Sequence, residues 1–360
     1  MNRLIGIDLF RGIAAYAVIL VHSGDATWGL PIDRAAESFR LQFYFAVPFF
    51  LATSFYLMVN RPRINISQKF WRSRIERILI PYFIWTIIYV VFKLALSLTN
   101  VIEDISYIIE DLWAVIFFGA ASYHLYFLPL IFTGSCLVFL AKYIKENKIE
   151  TKTLCLIFIL SITAYQILLW SGNSFQLGAN VAFYQLLSLF DSNSISYTLA
   201  RVFLVGFAWL IRCLPYLLAS IILVNLSSKK RLQFNLPPNL FIICLLFVLT
   251  NSLGQEIIPS ALWEIILSFS LLIIAIGISK YIKPNQIIVN LGLCSFGIYL
   301  IHPLVKSAVE IVLQLVIPGV TQSVSVTSMI IYSGSTFILS WYTVTIFLKN
   351  RLIAKYMFGV

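Results

Sequence analysis

The sequence predicts an all-α integral membrane protein, a bundle of about ten transmembrane helices with both termini in the cytoplasm. Three observations predict it. Hydrophobic residues make up 60% of the chain and charged residues only 11%, against a charged share of about 25% in soluble domains. Apolar stretches long enough to cross a bilayer recur from residue 5 to residue 348. The basic residues gather in alternate loops between them.

Taking about 20 apolar residues per span, the spans fall at 5–23, 41–59, 77–98, 124–141, 153–171, 201–225, 238–253, 260–279, 286–309 and 326–348. The sixth contains Arg201, Arg212 and Pro215, and the seventh is short. The first has Arg3 ahead of it, as a signal peptide would, but its polar residues and the lack of a small-residue cleavage site read as a retained anchor.

The loops test this count. One group holds Arg61, Arg63, Lys69, Arg72, Arg74 and Arg77, then Lys142, Lys145, Lys148 and Lys152. It continues with Lys229, Lys230 and Arg231, with Lys280 and Lys283, and with Lys349, Arg351 and Lys355. With ten spans these all face one side, together with Arg3. The opposite loops hold Glu103, Asp104, Glu110, Asp111, Asp191 and Glu256. Positive loops stay inside, so both ends are expected in the cytoplasm. Segments 100–122 and 172–200 read as covers over the outer mouth. No boundary or repeat divides the chain, which is expected to form one membrane domain over residues 1–360, standing alone.

Composition also excludes some classes. The net charge of +11 comes from membrane-flanking loops, so no nucleic-acid partner is expected; the partner is the lipid bilayer. The five cysteines lie in apolar runs without a CxxC, so neither a disulfide framework nor a metal motif follows.

The stretch Ile5–Gly24, IGIDLFRGIAAYAVILVHSG, carries Asp8, Arg11 and His22 inside an otherwise apolar span. Ionised side chains within a membrane cost about 2.5–3.5 kcal/mol on insertion scales and face protein interiors or wet cavities. Arg11 and His22 are eleven residues apart, which puts them on one helix face about 16 Å from each other. Asp8 and Arg11 are spaced to neutralise each other. Snorkelling of that pair at a helix start is the plainer alternative.

The chain has three histidines, His22, His124 and His302, and the topology places all three towards the outer half of the bundle. Imidazole suits proton transfer near neutrality. No HxH, HxxxH or HExxH spacing accompanies them, so no metal is expected. On the cytoplasmic side, Arg74 and Arg77 open the third span, with Lys69 and Arg72 just before. Guanidinium forks match phosphate oxygens; attraction to anionic lipid is the more common cause of such a run, and spacing alone favours it. Arg201 and Arg212 share a face and could line the same cavity or neutralise Asp191 and Glu264, a choice the sequence leaves open. Lys306 and Glu310 have the spacing of an interfacial salt bridge.

Taken together, several stretches resemble the acyltransferase 3 family of integral-membrane acyltransferases. IDLFRGIAAYAVILVH matches its Arg-(ten residues)-His arrangement through Arg11 and His22, with Asp8 in its usual place. PFFLATSFYL (48–57) is similar to its Phe-Phe-x-x-Ser-Gly-Phe helix, with Thr53 and Ser54 where Ser-Gly would stand. RSRIERILIPYFIW (72–85) resembles its Arg-x-x-Arg entry into the third helix through Arg74 and Arg77. SYHLYFLPLI (122–131) has Tyr126 in place of a common tryptophan, and CSFGIYLIHPLV (294–305) contributes His302.

This resemblance implies transfer of an acyl group, most simply acetyl, from cytoplasmic acetyl-CoA or another acyl-CoA. The acceptor would be a hydroxyl of an extracytoplasmic polysaccharide or lipid-linked glycan, and the enzyme would be multi-pass in a bacterial cytoplasmic membrane. His22 is then the expected catalytic base, with Arg11 and Asp8 beside it. Arg72, Arg74 and Arg77 are expected to meet the donor's phosphates, and His124, Tyr126 and His302 to line the acceptor site. The competing class is a transporter with a histidine proton relay and an arginine-lined pathway, which inverted repeats would favour; none is visible. The oligomeric state is not encoded in any motif.

Overall fold

In a lipid environment every backbone polar group must be satisfied within its own segment, so an apolar chain of this kind is driven into helices. A computed structural model describes residues 3–23, 32–61, 64–98, 108, 110–171, 183–192, 194–228, 237–317 and 324–360. It is 82% helical, with no strand among the described residues. The protein is an all-α integral membrane bundle.

In chain order the helices are α1 (Ile5–Val21), α2 (Arg34–Leu41), α3 (Ala46–Val59), α4 (Gln68–Arg74), a π-helical turn (Ile75–Leu79), α5 (Ile80–Leu98), α6 (Leu112–Phe117) and α7 (Phe127–Gly134). After a 3₁₀ turn come α8 (Val138–Glu146), α9 (Thr151–Trp170), α10 (Tyr184–Leu187), α11 (Ile195–Ser228), α12 (Pro237–Ile257), α13 (Ser260–Ile278), α14 (Gln286–Val316), α15 (Val326–Phe347) and α16 (Arg351–Phe358). Among the described residues nine helices, some of them merging adjacent elements, are long and apolar enough to cross a membrane. With α1, at 17 residues, they correspond to the ten expected spans. Several run past the expected ends, α11 from Ile195 to Ser228 and α14 on to Val316. Glu103, Asp104, Lys229, Lys230, Arg231 and residues 172–182 of the expected outer cover lie outside the described residues.

The chain folds into two compact units, Met1–Ser54 with Ser227–Arg351, and Phe55–Leu226 with Leu352–Val360. In the first, α1 packs against α13, α14 and α15. Small residues make that approach possible. A side chain on Gly6 would strike the Ala275 carbonyl, one on Gly12 the Leu291 side chain, and one on Gly292 the Asp8 side chain. Close backbone approach at glycine is the usual means of helix association where lipid offers no hydrophobic drive. The first turn of α15 is secured by a capping box between Ser325 and Ser328.

In the second unit the organising face is Tyr82, Trp85 and Tyr89 of α5, each 1% exposed. The Tyr82 hydroxyl lies within hydrogen-bond distance of the Val115 and Ile116 carbonyls and accepts the Gly119 N–H, tying the 112–119 segment to α5. Gly119 adopts φ +78° with the Tyr126 backbone against it, a turn only glycine enters without strain. The π turn has a local cause. Pro81 lacks an N–H, and its ring would strike the carbonyl four residues back, that of Arg77, so the helix widens before it.

Candidate active site

Within the first unit, α1 carries three of the expected site residues. Asp8 is buried in its first turn, and among the described residues its hydrogen-bond partner is Arg3, through Nε, not Arg11. Arg3 also donates to the Val289 carbonyl, binding the start of α1 to α14. Arg11 stands one turn on, half-buried, within the electrostatic reach of both Asp8 and Arg3. The carboxylate expected to neutralise Arg11 is therefore bonded to Arg3 and acts on Arg11 through its field. Only the fold brings Arg3 into this role; the sequence alone marks it as a loop charge.

His22 caps the other end of α1. Its backbone carbonyl accepts a hydrogen bond from the Lys306 ammonium. Lys306 is buried at 7% exposure and serves the His22 turn from inside the unit. A cation at a helix C-terminus meets the negative end of the helix dipole. The Tyr332 hydroxyl donates to the Lys306 carbonyl at 3.1 Å, with the Glu310 carboxylate 3.4 Å away. The sequence signal for Lys306 was available: a lone ammonium in an apolar span calls for a partner within the protein.

His302 of α14 comes to His22. Their rings are near-parallel, 25° apart, with centroids separated by 6.5 Å. His302 is fully buried, whereas His22 is half-buried. The orientation of His302 follows from the residue after it. Pro303 has no N–H for the Tyr299 carbonyl, four residues back, and the His302 ring takes its place, Nδ1 lying 2.7 Å from that oxygen. A carbonyl only accepts, so Nδ1 carries a proton, and whenever the ring is neutral it is Nε2 that keeps the lone pair.

His124 and Tyr126 belong to the second unit. His124 is 2% exposed, its Nδ1 3.1 Å from the Ser122 hydroxyl, and it meets the Tyr89 ring edge-on at 5.3 Å. Tyr126 is half-buried at the start of α7. The arginine group is here as well. Arg72 is exposed and paired with Glu76 at 3.0 Å. Arg74 lies half-buried over the Phe70 ring, 5.3 Å from its centre. Arg77 is exposed on the π turn, and the fields of Arg61, Arg74 and Arg77 overlap. Like charges held together in this way have a standing demand for an anion.

Of the two arginines of α11, Arg201 has found a different partner from those the sequence offered. Arg201 pairs with Asp111 at 2.6 Å and lies over Phe118. Arg212, buried, lies over the Tyr165 ring. Asp111 also caps α6 by accepting the Ala114 N–H. Among the described residues no group of three His, Cys, Asp or Glu side chains is placed to hold a metal ion.

Comparison with known families matches the chain to one described as an acyltransferase domain, the acyltransferase 3 family, over residues 4–345. No curated protein and no solved structure matches.

Proposed function

Because the chain belongs to the acyltransferase 3 family and is thus a multi-pass membrane acyltransferase, we propose that it moves an acyl group, acetyl in the simplest case, from cytoplasmic acyl-CoA to a hydroxyl of an extracytoplasmic polysaccharide or lipid-linked glycan. Its home is a bacterial cytoplasmic membrane, and residues 1–360 act as one acyltransferase domain. The observation that carries the reading is the near-parallel pair of His22 and His302, one ring half-open and the other held in a defined tautomer by Tyr299.

In this reading His22 takes the proton of the acceptor hydroxyl as that oxygen attacks the thioester carbonyl carbon. The carbon–sulfur bond then breaks, and the coenzyme A thiolate receives the proton back from the imidazolium. Ester and coenzyme A are the products. Arg11, in the field of the Asp8–Arg3 pair, favours the negative charge that develops on the thioester oxygen or on the donor. Arg74 and Arg77 take the donor's phosphates, with Arg72 at the rim, as the clustering of their charges supports. His124, Tyr126 and the buried His302 serve the acceptor side.

The test is label transfer from radiolabelled acetyl-CoA into membrane and glycan fractions by the purified chain. Wild type should transfer label and release coenzyme A, and His22→Ala should lose both at matched protein level. Full activity in His22→Ala removes the centre of the mechanism. Absence of coenzyme A release by wild type over a panel of glycans turns the reading towards transport.

A further inference from the structure

We propose that the C-terminal helix α16 is a clamp that holds the Arg77 turn in its binding shape; this rests on the reading that Arg74 and Arg77 receive the donor's phosphates. The helix lies beyond the residues matched to the family, 4–345, so the family match says nothing about its part.

The need for a clamp comes from the π turn itself. Ile75–Leu79 is wound with one extra residue, a rare geometry that occurs mostly as single turns within α-helices, frequently at functional sites. Pro81 deprives the Arg77 carbonyl of its regular helical donor. The carbonyl lies under the end of α16.

Three contacts join the helix to this turn. The Trp85 indole Nε1 donates to the Met357 carbonyl at 2.9 Å, one of the last carbonyls of α16, which has no donor inside its own helix. The Phe358 ring, 2% exposed, packs on the Trp85 ring with centroids 6.2 Å apart. Gly359 then ends the helix at φ +64°, its N–H bonded to Lys355 O and that of Val360 to Ala354 O, the αL pattern that closes helices on glycine. Its backbone lies directly on that of Arg77. A Cβ built on Gly359 would stand 2.6 Å from the Arg77 Cα, 2.7 Å from its oxygen and 2.9 Å from its carbonyl carbon. Real Cβ atoms do not come so close, and neither partner is a side chain that could swing away. The position therefore demands glycine twice, for its dihedral angle and for its missing side chain.

Gly359 and Trp85 are thus positioning residues. They act on the donor through Arg77 and touch no reacting atom. The experiment uses the full chain in nanodiscs, comparing wild type with Gly359→Ala, Trp85→Phe, Arg77→Lys and Gly206→Ala. Trp85→Phe keeps a six-membered aromatic ring beside Phe358 and removes the indole N–H together with the pyrrole ring, a change confined to one side chain that stays informative if Gly359→Ala fails to fold. Gly206 has open space around its Cβ position and serves as the glycine control. Two quantities are read: KM for acetyl-CoA against kcat, and amide hydrogen exchange across residues 75–79.

Gly359→Ala and Trp85→Phe should raise KM about five- to tenfold with kcat within about twofold, and should speed exchange in the π turn, while Gly206→Ala changes neither. If Arg77→Lys raises KM but Gly359→Ala and Trp85→Phe leave both quantities at wild type, the clamp is overturned and the donor reading stands. If Arg77→Lys leaves KM unchanged, the donor reading has failed and the clamp falls with it, whatever the exchange shows.

Discussion

The Lys306 ammonium donates to the backbone carbonyl of His22, joining residues 284 positions apart in the chain. The contact fixes the last turn of α1 and so the place from which the His22 ring projects. It is a charge-assisted bond made by a buried group, the kind whose loss costs about 1.5–3 kcal/mol.

Lys306→Met keeps the unbranched side chain to within one atom of its length and removes the donor. If the whole of that loss is felt in the transition state, kcat falls about ten- to hundredfold, with KM for acetyl-CoA nearly unchanged and the chain still inserted. Lys306→Arg should recover part of the rate. Steady-state kinetics on nanodisc-embedded protein checks this, and a wild-type kcat in Lys306→Met would show that His22 is held by other means.

Pro303→Ala tests the orientation of His302. The substitution gives the Tyr299 carbonyl back its regular donor, so the His302 ring loses its exclusive claim on that oxygen. Proline in a helix interior costs about 3 kcal/mol or more, so the variant should melt no lower than wild type, or higher, while activity drops. A thermal melt paired with a coenzyme A release assay reads both. A stable and fully active variant would mean that the fixed tautomer of His302 has no part in the reaction.

Gly292→Ala addresses the seat of Asp8. A Cβ at this position would lie 2.5 Å from the Asp8 Cβ and 2.6 Å from its Oδ1, so α1 and α14 must move apart or Asp8 must leave Arg3. Overpacking of this kind costs about 1–3 kcal/mol. The variant should melt lower and lose activity together. Gly334→Ala, where nothing stands within 4 Å of the Cβ position, should melt like wild type.

By itself the sequence determined what depends on neighbours along the chain. Each span satisfies its own backbone hydrogen bonds, so hydropathy and length announce a membrane helix without reference to any other, and all ten expected spans are helical. Arg11 and His22 could be put on one face from their spacing because helical geometry is local. Even the His302 ring was within reach, since His-Pro inside an apolar span leaves the carbonyl of Tyr299 in need of a donor. Tertiary structure alone decided the partners. Asp8 took Arg3 across a single turn where Arg11 had the regular spacing. Arg201 took Asp111 from 90 positions away, in preference to the acidic residues nearer its own helix. Lys306 went inward to His22, and the Arg77 turn came to rest under the final residues of the chain. A buried charge or an orphan carbonyl declares that it needs a partner, but which partner it meets is set by how the helices pack, and that packing is shaped by small residues, voids and kinks spread across the whole chain.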